Sequence, residues 1–269
     1  MIEFRNVGKR YPDGTIAVGD FSLIVPSYSI TVLVGSSGSG KTTLLRMVNR
    51  MVDPTSGQVL IDDEDVATVD PVALRRRIGY VMQEAGLLPH RTVVDNIALV
   101  LRLGGMSKSE SAERALKMMD LVGLDGNLAR RWPSQLSGGQ RQRVGVARAL
   151  AHNPNIALMD EPFGATDPLV RADLQTELLR IHDELATTIV FVTHDIEEAL
   201  LLGDQIVILQ KGGVVAQVGT PAEILANPAD EFVAGFVGVD RGKRRLRIVN
   251  EGGRSVVVDA KGRATGILE

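Results

Sequence analysis

Several groups of residues in this chain have the types and spacing to bind phosphate and attack it with water. Gly35-Ser36-Ser37-Gly38-Ser39-Gly40-Lys41-Thr42 is a full match to the pattern G-x-x-x-x-G-K-[ST]. Its glycines let successive backbone N–H groups turn inward on the β- and γ-phosphates. Lys41 supplies a point charge, the Thr42 hydroxyl can ligate Mg²⁺, and Thr43 is placed to reach the α-phosphate. Farther on, Ile156-Ala157-Leu158-Met159 is an apolar run ending in Asp160-Glu161. Asp160 is suited to hold Mg²⁺ through water, and Glu161 to orient and deprotonate the attacking water as a general base. A second nest for anions is Ser137-Gly138-Gly139-Gln140, where a serine and two glycines open a helix.

The elements around these residues must form a parallel sheet with its carboxyl edge at the site. Ile30–Val34 reads as a buried strand before the glycine loop, and Thr42–Met51 follows helical spacing, with Leu44, Leu45 and Val48 on one side. Ile78–Met82, Ile156–Met159 and Thr188–Thr193 are further buried strands, and 170–185 is a helix. Gln83 and His194 each follow the end of such a strand. The opening segments, Ile2–Val7, Phe21–Val25 and Gln58–Ile61, are broken by turns at Tyr11-Pro12-Asp13-Gly14 and Asp53–Gly57, the pattern of an antiparallel sheet. From 84 to about 153 the chain reads as helical. Ser107-Lys108-Ser109-Glu110 forms a capping box, and another helix runs from Gly138 to about His152, about 21 Å at 1.5 Å per residue. That length sets the 137–140 nest far from the start of the strand at 156. Alternating strands and helices imply an α/β class.

At 269 residues and 44% apolar composition the chain can build a sizeable core, and a net charge of −3 gives no global case for nucleic-acid binding. Charge is uneven: residues 240–269 hold eight Lys/Arg against four Asp/Glu. Cysteine is absent, which excludes disulfides and thiolate metal sites. Met1–Arg5 is polar-mixed and runs into a strand, so no secretory leader is read there. Apolar runs such as Ile189–Val192 are far below the roughly 20 residues that span a bilayer.

The glycine loop, Leu136-Ser137-Gly138-Gly139-Gln140 and Met159-Asp160-Glu161 together resemble the ATP-binding cassette (ABC) ATPases, over residues 1–239. The resemblance implies a P-loop NTPase fold: an N-terminal antiparallel part, a RecA-like parallel-sheet core and a helical subdomain at about 84–153. It implies ATP and Mg²⁺ as ligands, with Gln83 sensing the metal and the attacking water, and His194 at the γ-phosphate. It places Tyr11 on the adenine ring and Asp167 in a loop that crosses a dimer interface. Ser137–Gln140 would then close on an ATP held by the other copy of a head-to-tail homodimer. A transporter engine of this kind works on the cytoplasmic face of the membrane beside separate permease subunits, and indirectly with an extracytoplasmic solute-binding protein. Segment 84–105, with Leu87, Leu88, Val93, Val94 and Ile97, is expected to dock on the permease. Trp132 is expected to anchor packing in the helical subdomain.

Tyr11–Thr15, Arg46–Arg50, Leu74–Gln83, Gly86–His90 and Asn96–Val100 resemble the ATPases of osmoprotectant importers, which take up glycine betaine, choline, carnitine and proline-like solutes. An amino-acid, methionine or taurine importer is the main alternative, and a non-transport ABC ATPase a remote one. Thr166 stands where the family more often has leucine, and Leu88 where phenylalanine is commoner. Residues 240–269 resemble a fragment of one regulatory CBS repeat, with a hairpin turning near Lys261-Gly262. The basic run 241–247 reads as a solvated strand or linker, or as a contact for anionic headgroups.

Overall fold

The computed structural model describes residues 1–164, 166–239, 246–251, 254–259 and 262–267. An antiparallel sheet comes first. Strands β1 (Ile2–Arg10) and β2 (Ile16–Val25) form a hairpin across the Tyr11–Thr15 turn, which closes through the Tyr11 N–H on the Thr15 carbonyl. After β3 (Ile30–Gly35) and α1 (Lys41–Val48), β4 (Ser56–Ile61) returns to pair with β1, and the short β5 (Glu64–Asp65) completes the order β2-β1-β4-β5. Helix α2 (Pro71–Arg77), capped by Asp70, leads into β6 (Ile78–Val81).

The helical part holds α3 (Val93–Leu103), α4 (Lys108–Leu121) and α5 (Gly138–Leu150). Ser107 and Glu110 make the expected reciprocal capping box on α4. Residues 84–92 are loop rather than helix, because Ala85 and Gly86 sit at positive φ (40° and 56°) and Pro89 follows. Trp132 is 45% exposed, so it is not the packing anchor expected in the helical subdomain.

The chain re-enters the core with β7 (Ile156–Asp160), α6 (Pro168–Leu185), β8 (Thr188–Thr193), α7 (Ile196–Leu202), β9 (Gln205–Gln210) and β10 (Val214–Gly219). The six-stranded order is β10-β9-β3-β8-β7-β6, parallel throughout except for β10. Its central strands are buried on both faces, as a covered parallel sheet requires. Ile30, Val32 and Val34 of β3 face one core with Phe191 and Met159, while Leu33 faces the other with Val190 and Leu158. Helices α8 (Pro221–Ala226) and α9 (Glu231–Val237) follow, then a three-stranded antiparallel sheet of β11 (Arg247–Glu251), β12 (Arg254–Val258) and β13 (Ala264–Ile267). The hairpin expected near Lys261-Gly262 is the β12–β13 pair, closed by the Asp259 N–H on the Arg263 carbonyl; Lys261 itself lies outside the described residues. Strand β11 was not expected. It begins at Arg247, the last residue of the basic run, and residues 241–245 lie outside the described residues.

His152, just after α5, has both ring nitrogens buried without a partner, and burial pushes its pKa down from the ordinary 6.5. Above that value the imidazole is neutral in both states and contributes no slope. As pH falls below 6.5 the unfolded chain takes the proton first, so stability is lost on the acid side. We expect His152→Leu to reduce the loss of urea midpoint between pH 7.5 and 5.5. An unchanged loss would show that His152 is not its source.

Candidate functional site

Parallel register brings four strand ends to one edge. Val34 of β3 pairs with Thr193 of β8, Val192 with Asp160 of β7, and Met159 with Val81 of β6. The glycine loop, His194, Asp160-Glu161 and Gln83 therefore emerge side by side, where ligands of parallel sheets bind.

In the loop, Ser36, Ser37 and Gly38 are exposed while Ser39 is fully buried. Gly40 has φ 91°, and a Cβ there would lie 2.6 Å from the Ala17 carbonyl. A side chain on Gly35 would meet the Leu209 carbonyl at 2.3 Å. Only glycine lets the loop wind this close to β2 and β9. Lys41 is 6% exposed, and its ammonium donates to the Gly35 carbonyl at 2.8 Å, the Ser36 carbonyl at 2.9 Å and Ser39 Oγ at 3.3 Å. Burial pushes its pKa down, while the carboxylates of Glu161 and Asp160 oppose the shift. Thr43, half-buried, follows on the first turn of α1.

Asp160 and its neighbour Glu161 face different partners. Asp160 Oδ1 accepts the Thr42 hydroxyl at 2.8 Å. Glu161 has a left-handed backbone, φ 46°, and its N–H donates to the Val192 carbonyl at 2.9 Å. That turn sends its Oε2 to within 3.0 Å of His194 Nδ1 and 3.4 Å of Gln83 Nε2. His194 is 61% exposed, so the imidazole stands at the open side of this group. Thr42, Asp160 and Gln83 offer hydroxyl, carboxylate and amide oxygens, a hard donor set suited to Mg²⁺, which keeps waters and substrate phosphates as its remaining ligands.

The other expected residues lie apart. Ser137 Oγ accepts the Gln140 N–H at 3.2 Å and the Ser137 N–H donates to Gln140 Oε1 at 2.9 Å, so both residues cap α5. A Cβ on Gly139 would strike Val170 of α6 at 2.4 Å. Gly138 lines a cleft with Gln83 and Thr166. Among the described contacts none links Ser137–Gln140 to residues 35–43. Asp167 is exposed and caps α6 through the Leu169 and Val170 N–H groups. Tyr11 is 37% exposed, and its ring lies 5.5 Å from Lys9 Nζ.

Residues 18–164 match the ABC transporter family. The chain belongs to the ABC transporter family. A carnitine transport ATP-binding protein of Listeria monocytogenes serotype 1/2a (strain 10403S) is 48% identical over 241 residues, covering 90% of this chain and 60% of the relative. A glycine betaine uptake system ATP-binding protein of Escherichia coli (strain K12) is 49% identical over 238 residues, covering 88% and 77%. A solved dimeric, post-hydrolysis ATP-binding cassette bound to ADP and Pi superposes with a TM-score of 0.75 at 35% identity, covering 82% of this chain and 99% of that chain. The chain spans 60 to 63% of the length of the carnitine and choline transport relatives.

Two residues of the cassette site went unnoticed in the sequence. Tyr80 Oη and Arg46 Nη2 each lie 3.4 Å from Asp160 Oδ2, and Arg46 Nε donates to Tyr80 Oη at 3.3 Å. Arg46 follows Thr42 by four residues, so helical spacing places both on one face of α1. A third, Arg148 of α5, donates to the Ala85 and Gly86 carbonyls at 2.6 and 2.8 Å. Gly145 allows this approach, since a Cβ there would already lie 3.3 Å from Ala85. The cassette thus fastens the segment after Gln83 to the helix that begins at Ser137.

Segment 84–105, expected to dock on a permease, is in part core. Val93 and Ile97 are fully buried and belong to the core, whereas Leu87, Leu88 and Val94 are half-buried. Leu103, at the end of the segment, and Met106, just past it, are exposed at 54% and 39%. They line a groove of about 710 Å³ with Val72, Val100 and Leu101. Among the described residues no helix is long and apolar enough to cross a membrane.

Proposed function

We propose that this chain is the ATP-hydrolysing subunit of an importer that drives uptake of a compatible solute, of the glycine betaine, choline, carnitine or proline type, through separate membrane subunits. The observation that carries the reading is the convergence of Lys41, Asp160, Glu161, Gln83 and His194 at one sheet edge. The names of its carnitine and glycine betaine transport relatives support the solute class. Loop residues 35–43 hold the phosphates, with Lys41 as the charge among them and Tyr11 stacking on adenine. Bound Mg²⁺, held by Thr42, Asp160 and Gln83, supplies charge neutralisation on the phosphate oxygens. Glu161 accepts a proton from the attacking water, Gln83 orients that water, and His194 contacts the γ-phosphate. Ser137, Gly138, Gly139 and Gln140 close on the nucleotide of a second copy, with Asp167 at the junction, as the dimeric cassette neighbour suggests. In this reading residues 1–239 are the cassette, and the C-terminal sheet is a partial CBS-like segment.

The groove beside Leu103 and Met106 is the docking surface for the permease, which keeps the chain on the cytoplasmic face of the membrane. Changing both residues to Asp should leave the ATPase of the isolated chain intact, because both are exposed, Leu103 as the last residue of α3 and Met106 in the loop after it. Uptake by the complex reconstituted with its permease should be lost. Normal uptake would place the coupling surface elsewhere.

A further inference from the structure

Behind His194 lies a buried polar network that the chemistry above does not use. Glu198 of α7 is 4% exposed. Its Oε2 accepts the Thr193 hydroxyl at 2.5 Å, and its Oε1 accepts Gln175 Nε2 of α6 at 3.1 Å. Thr193 Oγ1 in turn accepts the Asp195 N–H at 3.0 Å. One hydroxyl thus ties together the residues on either side of His194, and the carboxylate ties that turn to α6.

Arg171, on the first turn of α6, makes a second link. Its Nη1 lies 3.5 Å from Asp195 Oδ2, its Nε 3.9 Å from Glu198 Oε1, and its Nη2 donates to the Thr166 carbonyl at 3.4 Å. The Nε is buried without a hydrogen-bond partner of its own, so its attraction to Glu198 is the charge pairing alone. A carboxylate this buried is costly unless it is fully paired. Simple helix–helix adhesion would be served more cheaply by apolar side chains.

We propose that Glu198 and Arg171 are positioning residues. They hold the 193–195 turn so that His194 faces Glu161, and they tie that imidazole to the loop at Thr166-Asp167. The inference rests on the role given to His194 above. Through Arg171, displacement of the loop by a second copy of the chain reaches the histidine directly, without passing through the nucleotide.

The test uses the full chain and reads His194 apart from turnover. Glu198→Gln keeps the size but removes the charge that faces Arg171, and it sets an amide NH₂ against a hydroxyl and an amide that both donate to the carboxylate. Thr193→Val removes the hydroxyl and Thr193→Ser retains it. Arg171→Gln probes the second link at a side chain that is 29% exposed, where folding is safer. The first, second and fourth variants should shift the His194 imidazole ¹H–¹³C signals and leave those of His90 and His182 in place. They should also lower kcat about tenfold or more, as a small misplacement of a reacting group does, with fluorescent-ATP affinity unchanged. Thr193→Ser should restore both readouts. Lowered melting temperatures with unmoved His194 signals would overturn the proposal and leave the network as packing. Moved signals with undiminished kcat would uphold the positioning and instead sink the role given to His194.

Discussion

Glu161→Gln should lower ATP turnover by about 10²–10⁴, the usual worth of general-base help, while ATP binding survives. The substitution keeps the side-chain shape and a hydrogen-bonding atom for His194 and Gln83, which now lie 3.0 and 3.4 Å from Glu161 Oε2. Lost turnover therefore reports the missing base and not a collapsed site. With hydrolysis stopped, ATP should accumulate between two copies, and light scattering should show an ATP-dependent dimer. Adding Ser137→Arg to the same chain should abolish that dimer, because Ser137 makes no described contact with its own loop 35–43. Undiminished turnover in Glu161→Gln would remove Glu161 from the mechanism. A dimer indifferent to Ser137 would remove the composite site.

Lys41→Met should have the next largest effect, on binding rather than on chemistry. The apolar stem is retained and only the ammonium is lost. Deleting one member of a buried charge pair costs about 2–5 kcal/mol, so fluorescent-ATP affinity should fall about 30-fold to several thousandfold. The folded chain should also lose stability, because the Gly35 and Ser36 carbonyls that receive the ammonium at 2.8 and 2.9 Å lose a donor. An affinity equal to that of the parent chain would show that the loop backbone holds the phosphates unaided.

The core strands and the residues at their ends were legible because both depend on local pattern. β3, β7 and β8 are short apolar runs bounded by chemistry-bearing residues, and Thr188–Thr193 was read to the residue. The loop at 35–42 needs its glycines at set positions, so it reads as text. What could not be read depends on contacts between distant segments. Nothing near Tyr80 announces that its hydroxyl meets Asp160, eighty residues away. Strands β9 and β10 lie beyond the motifs, and no reading of the motif residues reached them. The helical reading of 84–92 failed for a conformational reason, two successive residues at positive φ that hand the chain to the Arg148 clamp. Val93 and Ile97 were given to the surface because apolar residues on a short helix look the same whether they face a partner or the core.

The left-handed backbone of Glu161 sets this position against the rest of the fold. A non-glycine residue held at φ 46° carries a strain of about 1–3 kcal/mol, whereas glycine relaxes there and asparagine adapts with little penalty. A laboratory lineage selected only for heat resistance would therefore drift toward glycine or asparagine at this position, gaining robustness as it lost its engine. Thermostable descendants of this cassette should be screened for turnover before their melting points are compared.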